Sequence, residues 1–194
     1  MAAMTRLRDF VRALTVEVGR DPNDEPRLLE VTSNLLGDLV SHDDWLPREF
    51  AEPHPDHYQQ YLLHCDPLER FSVVSFVWGP GQVTPIHNHT VWGVIGVLRG
   101  IETCEEFRLE DGGLASAGRH TVKAGQVDRV SPTIGDIHRV ANARHDGPSV
   151  SIHVYGANIG AVQRSRFDPN GDSTPFVSGY SNDFVPNMWD RSDE

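Results

Sequence analysis

The stretch TPIHNHTVWGV, residues 84–94, places two histidines one residue apart in a run that otherwise has the composition of a β-strand. Alternate residues of a strand point to the same face, so His87 and His89 are expected to project side by side. Two adjacent imidazoles predict a metal site. Because the chain has 10 histidines, a chance pairing is the competing interpretation, and the remaining sequence has to distinguish the two.

Short segments rich in β-branched and aromatic residues predict strands on both sides of this stretch. Turn signals such as GPG, RG and EDGG separate them, and strands at this spacing indicate a mainly β sandwich or barrel. The segment YQQYLL (58–63) fits either a short helix or an edge strand. The clearest strand candidates are FSVVSFVW (71–78), VWGVIGVL (91–98), IETCEEFRL (101–109) and SVSIHVYG (149–156).

The N-terminal part of the chain predicts two helices. Apolar residues recur at helical spacing over residues 6–19. A second helix is expected after DPNDEP, with Asp24 as its N-cap and Pro26 in its first turn. Residues 42–57, rich in Pro, Asp and His, predict a loop. The expected buried stripe of the second helix consists of Leu28, Val31, Leu35 and Leu39.

We predict a single domain over residues 1–194, because no repeat or second folding unit is visible in the sequence. It would comprise a helical N-terminal segment (1–57), a barrel core (58–166) and a C-terminal segment (167–194) that packs on the barrel. The expected packing of this last segment depends on its aromatic residues, Phe176, Tyr180, Phe184 and Trp189.

Composition excludes several classes of function. The net charge of −11 opposes non-specific binding to nucleic acid or to an anionic membrane. The sequence has no apolar run of membrane-spanning length and no signal-peptide pattern. Two cysteines, Cys65 and Cys104, are too few for a disulfide scaffold. We therefore expect a cytoplasmic protein without a nucleic-acid or membrane partner, and of undetermined oligomeric state.

The spacing around the two histidines continues into a longer pattern. One glycine stands six residues before His87, another stands eleven after His89, and the motif GDIHRVAN follows at residues 135–142. This pair of motifs resembles the signature of the cupin superfamily. The resemblance implies a double-stranded β-helix (jelly-roll) barrel, here with N-terminal α-helices. Gly93 stands where the signature has a glutamate ligand, and Pro132 is displaced by one residue.

The chemistry explains why these histidines would meet. His87, His89 and a third imidazole, His138, from a later strand can cap one face of a metal ion. Three histidines accept most late first-row metals, so the residue types do not select one. Replacing the glutamate by Gly93 leaves the anionic donor to the substrate, a role that a thiolate fills.

The segment SVSIHVYG alternates apolar and polar residues. Ser151, His153 and Tyr155 share one face of the predicted strand. A buried polar row is costly unless its members are hydrogen-bonded. It is either a structural network or an outer-shell relay that holds Tyr155 near the metal as a proton donor.

Together, HNH, DIHRV and SIHVYG resemble the thiol dioxygenase family of the cupins, typified by cysteine dioxygenase, over roughly residues 58–164. The resemblance implies ferrous iron, Fe(2+), held by the three histidines, and addition of both atoms of O2 to a thiol. It also implies outer-shell roles for Ser151, His153 and Tyr155. Mammalian members carry a cysteine cross-linked to the tyrosine. Gly93 or Val94 stands there, so an uncrosslinked tyrosine is expected.

Gln60 lies near the place where cysteine dioxygenases have an arginine that holds the substrate carboxylate. This feature resembles the bacterial 3-mercaptopropionate dioxygenase branch, in which a later arginine serves the carboxylate. The resemblance implies that role for Arg164, with Arg166 as a competing candidate. The expected reaction converts 3-mercaptopropionate and O2 to 3-sulfinopropionate.

Other functions remain open from the sequence. One is cysteine dioxygenase activity on L-cysteine, and another is a cupin enzyme acting on a diketone or flavonol. From a different class, the chain could be a non-catalytic metal-binding sensor that consumes no O2. Trp92, beside the histidines, either lines the pocket or packs the barrel.

Overall fold

A computed structural model describes residues 3–111 and 113–190. Two helices come first, α1 (Ala3–Arg20) and α2 (Glu25–Val40), and a short 3-10 helix follows at Arg48–Phe50. The strands are, in chain order, β1 (Gln59–Cys65), β2 (Ser72–Trp78), β3 (Ile86–His87), β4 (Gly93–Arg99), β5 (Ile101–Glu110), β6 (Gly113–Lys123), β7 (Val127–Val130), β8 (Ile137–Asn142), β9 (Ser149–Tyr155), β10 (Arg164–Phe167) and β11 (Ser173–Phe176).

The strands form two antiparallel sheets. One has the order β1-β2-β9-β4-β7 and the other the order β11-β10-β3-β8-β5-β6. An apolar cluster joins the two sheets, with Phe76, Trp78 and Tyr155 from the first and Cys104 and Val140 from the second. The predicted fold is therefore confirmed: a mainly β double-stranded β-helix barrel preceded by two helices.

The two helices cover the other face of the five-stranded sheet. Apolar residues of β9 such as Ile152 join Leu7 of α1 and Leu36 of α2 in one buried cluster. The closest approach is at Gly96 in β4, where a Cβ atom would lie 2.9 Å from the side chains of Leu36 and Val40. A larger residue at this position would push α2 off the sheet.

Element boundaries agree with most of the sequence signals. The side chain of Asp24 caps α2 by accepting a hydrogen bond from the N–H three residues on, at 3.2 Å, and Pro26 lies in the first turn. The ambiguous segment at residues 58–63 enters β1, an edge strand of the five-stranded sheet. The predicted loop at 42–57 contains the 3-10 helix.

The predicted buried stripe of α2 is only half correct. Leu28 and Leu39 are buried, whereas Val31 and Leu35 are partly exposed. The helix carries adjacent leucine pairs, so its sequence fits two overlapping apolar faces. Packing on the sheet buries the face that contains Leu36. The buried residues of α2 are Leu28, Leu29, Thr32, Ser33, Leu36, Leu39 and Val40.

The segment after β11 lies along the free edge of β1. The Ser181 hydroxyl accepts a hydrogen bond from the backbone N–H of Gln60 at 2.9 Å, and Asn182 Oδ1 accepts one from the N–H of Leu62 at 2.8 Å. These side chains satisfy donors that an edge strand leaves unpaired. Residues 191–194 of the predicted C-terminal segment lie outside the described residues.

The aromatic residues of this segment pack less completely than expected. Phe176 and Tyr180 are half-buried, but Phe184 and Trp189 are 59% and 56% exposed. Met188, at 2% exposed, supplies the apolar contact instead. None of the helices in the described ranges combines the length and apolarity that a membrane span requires.

Candidate active site

Three histidines converge on the six-stranded sheet. His87 ends β3 and pairs across the sheet with His138 of β8, and His89 lies in the loop after β3. Their ring centroids are 4.8–4.9 Å apart, and ligand atoms of all three lie within 4.8 Å of one another. All three side chains are buried. The structure thus brings together the residues that the sequence predicts as metal ligands.

Each of the three rings has its Nδ1 atom engaged away from the centre. The Nδ1 atom of His87 donates to a backbone carbonyl at 3.0 Å, that of His89 to Asp136 Oδ1 at 2.9 Å, and that of His138 contacts Cys104 Sγ at 3.5 Å. The Nε2 atom of His89 is buried and has no partner among the described residues. A buried polar atom in this state calls for an unseen partner, and a metal ion bound by the three histidines would fit.

The electrostatics of the site suit a cation ligated by neutral imidazoles. Burial lowers the pKa of His87 to about 4, and burial together with the neighbouring imidazoles lowers the pKa of His89 and His138 well below the ordinary value. The rings are therefore uncharged at neutral pH and keep the lone pairs that a metal needs. This donor set fits the iron that the sequence resemblance implies.

Asp136 holds the loop that carries His89. Its carboxylate accepts hydrogen bonds from the backbone N–H groups of His89 and Thr90, at 2.9 and 2.8 Å, besides the one from the His89 ring. Thr90 has a left-handed backbone, with φ of 62°. Sequence reasoning missed Asp136, although it belongs to the GDIHRVAN motif, because its partners lie more than 40 residues earlier.

The polar row of β9 is fully hydrogen-bonded. The Ser151 hydroxyl lies 2.8 Å from His153 Nε2, and His153 Nδ1 lies 2.8 Å from the Tyr155 hydroxyl. The Tyr155 ring stacks on His89 with a centroid distance of 5.3 Å. Burial lowers the pKa of His153 to about 3 and raises that of Tyr155, so both are neutral at neutral pH. The row connects the histidine triad to the barrel interior.

A cavity of about 220 Å³ opens beside His87. It brings together the predicted substrate-binding residues Gln60 and Arg164, and also Arg166. None of the described residues that line it is acidic. The remaining wall is mostly aromatic or small and polar, and includes Tyr58, Phe76, Thr84, Phe176 and Ser178.

Arg164 is a buried cation without an acidic partner in the described part of the chain. Its side chain is 4% exposed, its Nη2 donates to Ser178 Oγ at 2.6 Å, and its guanidinium lies 4.7 Å from the Phe176 ring centroid. Its Nε is buried and unpartnered. An unpaired buried cation is costly, so this position favours an anion. Arg166 is exposed and lies at the rim.

Gln60 is in the cavity wall, but its donors are occupied. Its Nε2 donates to Ser178 Oγ at 2.9 Å and to the carbonyl of Gly179 at 2.7 Å. Ser178 thus contacts both Gln60 and Arg164. Sequence reasoning missed Ser178, because nothing local in SGYSN indicates that this segment returns to β1 and β10.

The comparison with known families agrees with this geometry. The family described as cysteine dioxygenase type I matches residues 39–168, about two thirds of the chain. The chain belongs to the cysteine dioxygenase type I family. A curated relative, cysteine dioxygenase type 1 of Danio rerio, is 28% identical over 133 residues, covering 66% of this chain and 64% of the relative. The match therefore spans less than two thirds of that relative's length.

Two solved structures are distantly similar to this chain. An uncharacterised conserved protein with a double-stranded β-helix domain from Klebsiella pneumoniae has a TM-score of 0.47 at 19% identity, covering 58% of this chain and 89% of that one. A cupin superfamily protein from Desulfitobacterium hafniense has a TM-score of 0.44 at 14% identity, covering 60% and 94%.

Gly93 explains how this member of the cysteine dioxygenase type I family differs from the general cupin signature. It pairs with Tyr155 across β4 and β9, and a Cβ atom there would lie 2.9 Å from the Tyr155 ring and from Val130. The tyrosine ring therefore takes the space that a glutamate side chain would need. Cys65 and Cys104 are both free.

A buried carboxyl group, Glu102, lies near the polar row, and Trp92 lies outside the cavity. Glu102, at 2% exposed, accepts a hydrogen bond from Ser149 Oγ at 2.9 Å, and Ser149 lies two residues before Ser151 on β9, so a buried carboxyl group lies beside the end of the polar row. Burial raises the pKa of Glu102 to about 7. Sequence reasoning missed it, because β5 carries several glutamates and only the fold distinguishes them. Trp92 packs with the helix-side core and does not line the cavity.

Proposed function

We propose that this protein is an iron-dependent thiol dioxygenase that prefers 3-mercaptopropionate and yields 3-sulfinopropionate. The single observation that supports this substrate best is the buried, unpaired guanidinium of Arg164 in a cavity that His87 also lines. The thiol sulfur would gain both oxygen atoms of O2, and the thiol proton would leave with the sulfinic acid or pass to solvent.

Iron would be held by His87, His89 and His138, and when bound it would supply the redox chemistry that joins O2 to the thiol sulfur. The chain itself positions the substrate. With the sulfur near the triad, a carboxylate two carbons away would extend into the cavity toward Arg164. A guanidinium can donate to both oxygens of a carboxylate through its planar fork.

The absence of acidic lining residues favours a thiol acid without an amino group. L-Cysteine would bring an ammonium group into a cavity that contains Arg164 and Arg166 and no described carboxylate. That group would be repelled by like charge and left without an ionic partner. 3-Mercaptopropionate carries only the thiol and the carboxylate, and would bring no cation into this cavity.

The polar row would orient the hydroxyl proton of Tyr155 toward the substrate. A neutral imidazole has one N–H group. When His153 donates from Nδ1 to the phenol oxygen, Ser151 must donate to Nε2, and the Tyr155 hydroxyl is then free to donate toward the substrate. Ser151 and His153 would thus act as positioning residues for Tyr155.

The proposal is tested by replacing Arg164 with Met, which keeps the length of the stem and removes the charge. We expect the KM for 3-mercaptopropionate to rise about 10- to 100-fold, as for loss of one charge-assisted contact, with bound iron unchanged. Turnover of cysteamine, which lacks a carboxylate, should not fall. Arg166→Met is the matched control, and we expect its KM to change little. An unchanged KM in the Arg164 variant would contradict the role given to this residue.

Cysteine dioxygenase activity is the second candidate, because the family and the curated relative both bear that name. In that case an ordered water or a hydroxyl such as Tyr58 would have to accept the substrate ammonium. A direct comparison of the two thiols distinguishes the candidates.

A further inference from the structure

A second cluster of metal-ligating side chains lies behind the histidine triad. The thiol of Cys104, the imidazole of His120 and the carboxylate of Asp128 have ligand atoms within 4.8 Å of one another. The proposed thiol oxidation uses none of the three. We propose that this cluster binds a divalent late first-row cation, with Zn²⁺ as the best fit, as a metal site separate from the triad.

The fold builds this cluster from both sheets. Cys104 of β5 and His120 of β6 are cross-strand partners, so their side chains share a face, and Asp128 comes from β7 of the other sheet. The Nε2 atom of His120 lies 2.9 Å from Asp128 Oδ2. A ligand set that spans two sheets is held by the barrel itself and not by one flexible loop.

The donor types match zinc. Thiolate, imidazole and carboxylate are the three kinds of ligand that Zn²⁺ takes in proteins, and three protein ligands leave a fourth position for water. The cation would replace the proton of the Cys104 thiol, and that proton would pass to solvent. Glu106 Oε1 lies 3.6 Å from His120 Nδ1, where it can orient the ring from outside.

The cluster is accessible to an ion. A cavity of about 210 Å³ is lined by Cys104 and Asp128 and gives an entry path. The side chains of His120 and Asp128 are 39% and 23% exposed, whereas Cys104 is 4% exposed. The sulfur is therefore the sheltered member of the cluster, and the other two side chains are partly open to solvent.

The second site shares a wall with the first. Cys104 Sγ lies 3.5 Å from His138 Nδ1. The two sites nevertheless differ in chemistry, because the triad offers three nitrogen atoms and this cluster offers sulfur. A spectroscopic signal that requires sulfur ligation therefore reports on the second site alone, whatever the triad binds.

The test uses Co²⁺ as a coloured probe for Zn²⁺, added to the full-length, iron-loaded protein in thiol-free buffer. We expect a thiolate-to-cobalt charge-transfer band in the near ultraviolet and one extra metal equivalent per chain by elemental analysis. Cys104→Ser should abolish the band, and Asp128→Asn should weaken cobalt affinity by at least about 10-fold. Cys65→Ser, which removes the other free cysteine, is the matched control and should keep the band.

The proposal is overturned if the folded wild-type protein shows no such band at excess cobalt, or if the band survives in Cys104→Ser. Loss of the band in Cys65→Ser would overturn it too, because the sulfur would then be the wrong one. Circular dichroism and thermal melting verify that each variant is folded, and the partly exposed Asp128 provides a variant with little core disturbance. Oxygen uptake does not enter the readout, so this test and that of the proposed function can fail independently.

Discussion

Glu102 places a carboxyl group at the buried end of the Ser151–His153–Tyr155 row. Burial raises its pKa from an ordinary value of 4.5 to about 7. Below pH 4.5 the group is protonated in both the folded and the unfolded chain, so it costs nothing. As pH rises from about 4.5 to 7, the unfolded chain releases the proton while the folded chain retains it, and above pH 7 both have released it. This group therefore lowers stability with rising pH.

We expect this group to remove roughly 3 kcal/mol from the free energy of unfolding between pH 4.5 and pH 8. Glu102→Gln keeps the size of the side chain and has no charge to bury, so its loss of stability over this range should be smaller by that amount. Urea denaturation at pH 4 and pH 8 measures the difference, with the exposed Glu110→Gln on the same strand as control. Identical pH slopes for the wild type and Glu102→Gln would show that the carboxyl is not neutral in the folded protein.

At the scale of elements, the loop between β3 and β4 is held by the carboxylate of Asp136, which lies just before β8. β3 spans only Ile86–His87, so the strand pairing of β3 does not fix His89. Asp136 does this instead, through three hydrogen bonds to His89 and Thr90. The left-handed backbone of Thr90 is a strained conformation for a β-branched residue, and these bonds hold it.

We expect Asp136→Asn to weaken iron binding by about 10- to 100-fold, because an amide cannot accept all three hydrogen bonds. The barrel should stay folded, since the lost hydrogen bonds lie in the loop between β3 and β4, and circular dichroism verifies this. Chelator competition for iron measures the effect, and Asp56→Asn, at an exposed carboxylate, is the control. Unchanged iron affinity would mean that β3 and β8 alone position the triad.

Residue periodicity explains which elements and site residues could be predicted. The alternation along β9 correctly predicted that Ser151, His153 and Tyr155 share one face. A strand has a period of two, and distant contacts do not alter this period. The same period placed His87 and His89 side by side, even though His89 lies just beyond β3, whereas His138 was assigned to the triad through the resemblance to the cupin motifs. Asp136 and Glu102 were not predictable, because their roles arise only when separate strands are brought together.

At the scale of the whole molecule, the substrate cavity depends on the chain's long return after β11. Ser178 reaches Gln60 and Arg164 across more than 100 and more than 10 positions of sequence, and no local pattern indicates such a contact. The predicted buried stripe of α2 was only half correct for a related reason, because the sheet beneath the helix selects its buried face. The barrel and its histidines were predictable from the sequence. The C-terminal wall of the cavity was not.

The measurement that tests the central claim most directly is oxygen consumption by the iron-loaded protein with 3-mercaptopropionate, L-cysteine or cysteamine at equal concentrations, with the product identified. We expect the fastest uptake with 3-mercaptopropionate and one sulfinate formed for each O2 consumed. Preference for L-cysteine would contradict the role given to Arg164 and the non-acidic cavity while leaving the iron site intact. No uptake with any thiol, despite bound iron, would contradict the dioxygenase assignment itself.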